Sequence, residues 1–224
     1  MPQLHAIFAD IRGVIFDLNG VLTTDERLHE AAFAQSLEPL GVTLSHTDYQ
    51  ATILGMTDAD GFARLAERLE LTLSPAERAQ IVVTKKRLYR DLLPRQAANY
   101  AMPGARDIVL ALSASGARLA LASAAATQEV TTWLRILDLE TAFDPIMTSE
   151  SPVGAKPNPA VFATIRDAWN LPSSACVVID DMADNIAIAH TLGMRTIAVT
   201  SMLAPADFTA ADLIVSAVSE LLTA

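Results

Sequence analysis

The stretch GVIFDLNGVLT, residues 13–23, decides the fold of this chain. An apolar run ends at Asp17, and Gly20 follows three residues later. Buried parallel strands have such continuous apolar sequences, and ligands bind at the carboxyl ends of these strands. The glycine permits a tight turn behind the acid. The stretch therefore predicts a strand that presents the Asp17 carboxylate at a ligand-binding edge, where it could attack phosphorus. Taken alone, it could also be an ordinary strand end with an acidic helix cap.

The composition bounds the class of protein. The 224 residues suffice for one large domain or a domain with an insert, and no apolar run is long enough to span a bilayer. Cys176 is the only cysteine, which excludes an internal disulfide. Sixteen basic and 26 acidic side chains give a net charge of −10, which argues against nucleic acid or a membrane as partner. Without a secretory signal at the first residues, a cytoplasmic protein is expected.

After Leu22 the sequence shows the capping and helix-ending residues that are typical of helices. Apolar periodicity and glycine stops predict four helices, the last of which begins with a capping box at Ser74 and Glu77. The predicted helices occupy residues 25–40, 47–54, 58–69 and 75–93. Residues 23–100 are therefore expected to form an all-helical cap domain inserted after the first strand.

Helices and strands alternate from Met102 onward. Strands are predicted at 118–123, 145–147, 176–179, 196–199 and 212–215, with a terminal helix at the end. Strands separated by helices of this length indicate right-handed crossovers. The predicted fold is therefore a doubly wound parallel α/β sheet, with residues 1–22 and 101–224 as the core domain.

Two further polar positions fall where ligands of such a sheet bind. Ser123 closes the second predicted strand, and a helix that Thr127 is expected to cap begins just after it. A hydroxyl beside free backbone N–H groups forms a phosphate cradle. Lys156 lies on a proline-rich loop before the next helix, where an ammonium could bridge a carboxylate and a phosphoryl group. Singly, the serine could be a turn former and the lysine a solvated side chain.

An acid pair ends the fourth predicted strand. Asp180 and Asp181 follow an apolar run, and Asn185 lies four residues beyond the second acid. Adjacent acids before a helix often act only as caps. Beside Asp17, however, they would repel one another unless a hard cation lay between them, and Mg²⁺ prefers such carboxylates. The order acid, hydroxyl, lysine, acid pair at one sheet edge favours a joint site.

This order of motifs resembles that of the haloacid dehalogenase superfamily of phosphohydrolases. The resemblance extends over residues 13–222 and is closest to the β-phosphoglucomutase-like and small phosphatase branch, which carries a helical cap. It implies an enzyme that transfers a phosphoryl group from a small phosphorylated metabolite to an aspartate and then to water. The matching positions are Asp17 to Leu22, Ser123, Lys156-Pro157, and Asp180-Asp181 with Asn185.

The resemblance also assigns roles. Asp17 would be the nucleophile and a Mg²⁺ ligand, and the main-chain carbonyl of Asn19 would be a second ligand. Asp181, assisted by Asp180, would complete the set of Mg²⁺ ligands that the protein provides. Ser123 and Lys156 would hold the phosphoryl oxygens. The remaining expected substrate contacts are Gly20, His29, Lys85 and Ala124. A monomer or a weak homodimer is expected.

Asn19 departs from the superfamily pattern, which has an aspartate for proton transfer at this position. An amide cannot exchange a proton usefully near neutral pH, and general acid–base catalysis contributes ~10²–10⁴-fold. Three explanations are open: an engineered Asp→Asn change, a replacement acid, or a slow enzyme or phosphate-ligand binding protein. The working hypothesis is a replacement acid, with Asp25, Glu26 and His29 as candidates.

The cap region also differs from that of the sugar-phosphate mutase. Asp58 stands where that enzyme carries an arginine for the substrate phosphate, whereas Lys85 matches one of its cap lysines. A Mg²⁺-dependent phosphatase is therefore the favoured function. The alternatives are a catalytically impaired binding protein and a β-phosphoglucomutase-like mutase.

Overall fold

The computed structural model of the chain describes residues 3–223, without the side chains at 94–96 and 98. The strands are β1 (Gln3–Leu4), β2 (Gly13–Phe16), β3 (Arg118–Ala122), β4 (Ile146–Met147), β5 (Cys176–Asp180), β6 (Arg195–Val199), β7 (Leu213–Val215) and β8 (Leu222–Thr223). The α-helices are α1 (Glu26–Leu37), α2 (His46–Thr52), α3 (Asp58–Arg68), α4 (Pro75–Gln96), α5 (Ala105–Ala114), α6 (Thr127–Ile136), α7 (Pro159–Trp169) and α8 (Ala183–Thr191). None of these helices is both long enough and apolar enough to cross a membrane.

The chain divides into two compact units. The first consists of Met1–Thr24 with Ala101–Ala224, and the second is Asp25–Tyr100. The first junction expected from the sequence, after residue 22, lies two residues before the observed one at 24. That the second unit acts as a cap stays a prediction.

The two ends of the first unit at this insertion lie side by side. Thr23 and Ala101 form an antiparallel β-bridge. The backbone N–H of Met102 donates to the carbonyl of Leu22 at 3.0 Å. The chain therefore leaves the first unit and returns to it at neighbouring points.

Six strands form one parallel sheet in the order β4-β3-β2-β5-β6-β7. Phe16 at the end of β2 pairs with Leu121 on β3 and Ile179 on β5. The chain builds outward from β2 on one side and then starts again at β5 on the other, which makes a topological switch point at the carboxyl ends of these two strands. The prediction of a doubly wound parallel sheet is confirmed.

The central strands of the sheet are mostly apolar and are packed between helices. Every residue of β2 and β5 is buried, as expected for strands covered on both faces. One helix, α7, contributes three large side chains to the core on one face of the sheet. The buried members of this core include Ile15, Ala120, Val178, Phe162, Ile165 and Trp169.

Local sequence defines the ends of α7. The side chain of Asn158 accepts a hydrogen bond from the N–H of Ala160, and Pro159 occupies the first helical position. The helix is followed by its C-cap residue, Asn170, which adopts the left-handed conformation with φ of 53°. The indole N–H of Trp169, the last helical residue, donates to the carbonyl of Asp144 at 2.9 Å. The helix is thereby anchored at both ends.

The second unit is a helical assembly with its own core. The predicted capping box at the start of α4 is confirmed, because the side chains of Ser74 and Glu77 each accept a backbone N–H of the other residue. α1 continues into a short 3-10 helix, Glu38–Leu40, before Gly41 ends it. The buried core residues are Phe33, Leu37, Tyr49, Ile53, Phe62, Leu65 and Ile81.

Two local predictions are wrong. Thr127 does not cap α6: it is the first helical residue, the cap position is Ala126, and the Thr127 hydroxyl shares a hydrogen bond with the Thr148 hydroxyl at 2.9 Å. The predicted terminal helix is only a 3-10 helix, Val218–Leu221, followed by β8. β8 pairs antiparallel with β1, and this distant partner favours an extended end.

We expect Gly13→Ala to destabilise the protein, because a Cβ at this position would lie 2.6 Å from Cζ3 of the Trp169 ring. Overpacking of this kind costs about 1–3 kcal/mol. Urea unfolding measures the loss of free energy. The matched background is Trp169→Leu, which removes the ring, so that the same Gly13→Ala change should cost much less there. An equal cost in both backgrounds would contradict this packing.

Candidate active site

Asp17 lies immediately beyond β2, at the carboxyl edge of the sheet. Its backbone N–H donates to the carbonyl of Ile179 at 2.9 Å, which extends the pairing with β5 by one step. Its Oδ1 accepts the backbone N–H of Leu18 at 2.6 Å, and the residue is only 8% exposed. The sheet and the following turn therefore fix both the position and the orientation of this carboxylate.

Lys156 bridges two buried acids. Its Nζ lies 3.0 Å from Oδ2 of Asp17 and 2.6 Å from Oδ2 of Asp180, and the residue is 4% exposed. Burial opposes the positive charge, but the Asp17 and Asp180 carboxylates outweigh it and raise the pKa of Lys156 to about 12. The lysine is therefore charged and shared between the two acids.

The ionised form of Asp17 remains unfavourable despite this lysine. Burial raises the pKa of Asp17 to about 7; the Lys156 ammonium acts against this rise and the Asp180 carboxylate adds to it. One ammonium is thus insufficient to stabilise the ionised form fully. An additional positive charge at this position would favour the carboxylate that nucleophilic attack requires.

The two acids that end β5 have different surroundings. Asp180 Oδ1 accepts the backbone N–H of Met182 at 2.9 Å and the side-chain amide of Asn185 at 3.0 Å, while its Oδ2 accepts Lys156. Asp181 Oδ2 accepts the hydroxyl of Ser201 at 2.8 Å. Adjacent carboxylates are therefore oriented by separate sets of donors.

The residues at this edge fit a divalent cation. Asp17, Asp180 and Asp181 are buried and place one carboxylate oxygen each within 4.8 Å of one another. Three carboxylates against one ammonium leave a surplus of negative charge, and hard divalent cations prefer such oxygen ligands. Close by, Oδ1 of Asn185 is buried without a hydrogen-bond partner among the described residues. The acidic cluster could therefore bind a metal ion.

Gly20 is required by this packing. Its φ of 80° lies in the left-handed region, and a Cβ on it would lie 1.9 Å from Oδ2 of Asp181. The turn after β2 therefore approaches the end of β5 more closely than a side chain allows. Asn19, in the same turn, is half-buried and forms a β-bridge with Thr23. Its expected metal-binding and catalytic roles stay predictions.

Ser123 follows the last residue of β3, at the same edge. Its hydroxyl accepts the backbone N–H of Ala125 at 3.0 Å, and its own backbone N–H donates to the carbonyl of Met147 at 2.9 Å. Because Phe16 pairs with Leu121, Ser123 lies beside the strand that carries Asp17. Ala124 is half-buried in the loop before α6. The loop offers a hydroxyl and the backbone of a helix start, although without the predicted threonine cap.

Lys85 and His29 belong to a polar cluster inside the second unit. Lys85 is 1% exposed, and its Nζ donates to Oδ1 of Asp58 at 2.5 Å and contacts Nδ1 of His29 at 2.7 Å. The imidazole stacks on Tyr89, with 4.2 Å between ring centroids. Asp58, noted from the sequence only as a departure, is thus the partner of the lysine. The predicted roles of Lys85 and His29 in substrate binding stay predictions.

The other two candidate acids are tied to tyrosines of the same unit. The Tyr89 hydroxyl donates to Oδ2 of Asp25, which is fully buried, and the Tyr49 hydroxyl donates to Oε1 of Glu26. Burial raises the pKa of Glu26 above its usual value, against the lowering effect of His29. All three proposed replacement acids therefore have structural partners within their own unit.

Sequence reasoning missed Ser201. This residue lies two positions beyond the last residue of β6, and its hydroxyl contacts Asp181. No motif marks it. Its place after the carboxyl end of a predicted strand was the available signal, because ligand-binding residues collect at that edge.

Comparison with known proteins identifies the same family over most of the chain. Residues 11–193 match the haloacid dehalogenase-like hydrolases. The phosphorylated carbohydrates phosphatase of Thermotoga maritima is 28% identical over 84% of this chain and 84% of its own. Hexitol phosphatase B of Escherichia coli is 25% identical over 94% of each chain. The crystal structure of β-phosphoglucomutase from Clostridium difficile superposes with a TM-score of 0.82 at 21% identity, covering 94% of this chain and 93% of that one.

We expect the stability of the metal-free protein to fall as the pH rises from about 5 towards 7, the folded-state pKa of Asp17, because its unfolded-state value is near 3.8. Asp17→Asn carries no titrating group there. Between pH 5 and pH 8 the wild type should lose roughly 2 kcal/mol relative to this variant. Urea unfolding in EDTA measures both proteins. A difference that does not change between the two pH values would show that Asp17 ionises normally.

Proposed function

Because the chain belongs to the haloacid dehalogenase-like hydrolase family, we propose that it is a Mg²⁺-dependent phosphatase that acts through Asp17. The resemblance found from the sequence is confirmed by this membership, as is the expectation of a phosphohydrolase of the superfamily. One observation carries the proposal: Lys156 joins Asp17 to Asp180 beside a third buried carboxylate, at the switch point of the sheet.

The proposed reaction begins with attack by Asp17 on the phosphorus atom. A carboxylate oxygen forms the new P–O bond while the ester P–O bond breaks, and the leaving oxygen takes up a proton from the proposed replacement acid, one of Asp25, Glu26 and His29. Lys156 remains beside the carboxylate and offsets the negative charge of the phosphoryl oxygens, which the Ser123 hydroxyl and nearby backbone N–H groups orient. Water then attacks the phosphorus of the aspartyl-phosphate and gives a proton to the same replacement group. The P–O bond to Asp17 breaks, which releases phosphate and restores the carboxylate.

Mg²⁺ would be held by Asp17, Asp181 and the main-chain carbonyl of Asn19, with Asp180 assisting. When bound, it supplies charge neutralisation at the phosphoryl group. The raised pKa of Asp17 supports this assignment, because the ionised nucleophile needs a further positive charge beside Lys156.

The substrate is proposed to be a small phosphorylated metabolite. Curated relatives are named for phosphorylated carbohydrates and for hexitol, so sugar phosphates and hexitol phosphates are the first compounds to test. His29 and Lys85 are retained as proposed substrate contacts. Asp58, which pairs with Lys85, leaves that lysine partly neutralised and disfavours a bisphosphate mutase.

A second candidate function follows from Asn19. An amide at this position cannot transfer the protons that leaving-group departure and water attack require. If no other group supplies them, the same site binds a phosphorylated compound and turns it over slowly or not at all. The phosphatase is favoured, with Asp25, Glu26 or His29 as the proposed proton donor.

We expect the protein to release phosphate from p-nitrophenyl phosphate in the presence of Mg²⁺, and Asp17→Ala to abolish this release because no nucleophile remains. Colorimetric detection of nitrophenolate measures both. Asp107→Ala, which removes an exposed acid of α5, is the matched control and should retain the activity. Absence of turnover across a panel of sugar and hexitol phosphates, with tight Mg²⁺-dependent binding of one of them, would instead establish the binding protein.

We expect Asn19→Asp to raise turnover of an unactivated sugar phosphate by less than about tenfold, because a replacement acid already transfers the proton. A rise of about 10²–10⁴-fold would mean that this proton transfer is missing from the protein. Single-turnover rates of the two proteins give the ratio. A small increase would mean that another residue already transfers the proton; the variants Asp25→Asn, Glu26→Gln and His29→Gln would then identify it. If each of these three leaves the rate unchanged, the replacement-acid hypothesis is wrong.

A further inference from the structure

Ser201 contacts Asp181, the acid that follows the last residue of β5. Its Oγ donates to Oδ2 of Asp181 at 2.8 Å. The residue is half-buried in the loop that follows β6, far along the chain from the turn that carries Asp17. It belongs to none of the segments on which the family resemblance rests.

Three segments converge on the Asp181 carboxylate. A Cβ at Gly20 would lie 1.9 Å from Oδ2 of Asp181 and 2.7 Å from Oγ of Ser201. The turn after β2, the end of β5 and the loop after β6 are therefore packed against one oxygen atom. Gly20 and the Ser201 hydroxyl both lie close to this oxygen, and the hydroxyl donates a hydrogen bond to it.

The sheet holds the backbone next to Ser201 in place. The N–H of Thr200 donates to the carbonyl of Val215 at 2.9 Å, and the Thr200 hydroxyl contacts the same carbonyl at 3.3 Å. Because Val215 ends β7, the loop is tied to the neighbouring strand before it reaches the acid. The backbone N–H of Thr200 thus ties the loop to β7 one residue before Ser201.

A hydroxyl orients a carboxylate without neutralising it. Asp180 receives the Lys156 ammonium, which cancels part of its charge, whereas the donor from Ser201 to Asp181 is uncharged. Groups that orient a metal ligand in this way typically change metal affinity by about 10–100-fold when removed. The two neighbouring acids therefore differ in these donors: Asp180 receives an ammonium, and Asp181 receives a hydroxyl.

We infer that Ser201 is a positioning residue whose hydroxyl holds the Asp181 carboxylate in the orientation that binds a divalent cation. The inference rests on the proposed function only through the cation site at Asp17, Asp180 and Asp181. It assigns a further segment, the loop after β6, to the machinery of that site.

The test compares Ser201→Ala with the wild type, with Ser201→Thr as the conservative variant. Calorimetric titration with Mg²⁺ alone should give a dissociation constant about 10–100-fold higher for Ser201→Ala. Ser201→Thr keeps the hydroxyl and should restore binding to near the wild-type value. Thr200→Val removes the neighbouring hydroxyl, which faces β7, and should leave Mg²⁺ affinity unchanged.

Two further readouts separate positioning from a general structural role. Urea unfolding in EDTA should be nearly the same for Ser201→Ala and the wild type, while the stabilisation of the variant by 1 mM Mg²⁺ should be smaller. With a phosphatase substrate, the half-saturating Mg²⁺ concentration should rise while kcat at saturating Mg²⁺ stays within a few-fold. Ser201→Cys, which keeps the size of the side chain but donates weakly, replaces the alanine variant if the latter does not fold.

Equal Mg²⁺ affinity of Ser201→Ala and the wild type would overturn the inference and leave the proposed function intact. A wild-type protein that binds no Mg²⁺ would overturn both, because the cation site itself would then be wrong. Loss of affinity in Thr200→Val equal to that in Ser201→Ala would also overturn the inference, since the loop as a whole and not the hydroxyl would then be responsible.

Discussion

The Lys156 ammonium between the carboxylates of Asp17 and Asp180 is the contact on which the site depends. Burying a lone carboxylate or a lone ammonium is costly, and removing one member of a buried pair leaves its partner uncompensated. The sheet makes this pairing possible, because β2 and β5 are neighbours and their carboxyl ends deliver the two acids side by side. The lysine comes from the loop before α7, so one contact joins three segments that are distant in sequence.

Much of the fold could be predicted because it rests on strong local patterns. The uninterrupted apolar runs of β2 and β5 identify buried parallel strands, and the acids that follow them mark the ligand-binding edge. The start of α4 is equally local, since Ser74 and Glu77 satisfy each other's backbone within four residues. In these places the sequence pattern and the final structure are governed by the same few contacts.

What escaped prediction depends on partners far along the chain. The last residues form β8 because β1, at the opposite end of the sequence, offers a strand to pair with. Thr127 is the first residue of α6, and its hydroxyl contacts that of Thr148, 21 positions further along the chain. The contact of Ser201 with Asp181 forms only when the chain folds. None of these contacts is marked by spacing or periodicity, and the only signal for Ser201 is its place after a predicted strand.

The bridge between Thr23 and Ala101 has a consequence for how such a protein can diversify. The chain segments that lead into and out of the 76-residue insert, Asp25–Tyr100, are hydrogen-bonded to each other within the unit that contains the sheet. The entropy of closing a loop grows only slowly with its length, about 0.6 kcal/mol for each doubling. A longer, shorter or wholly unrelated segment could therefore be inserted between these points over evolutionary time, and the sheet edge that carries Asp17 would keep its architecture.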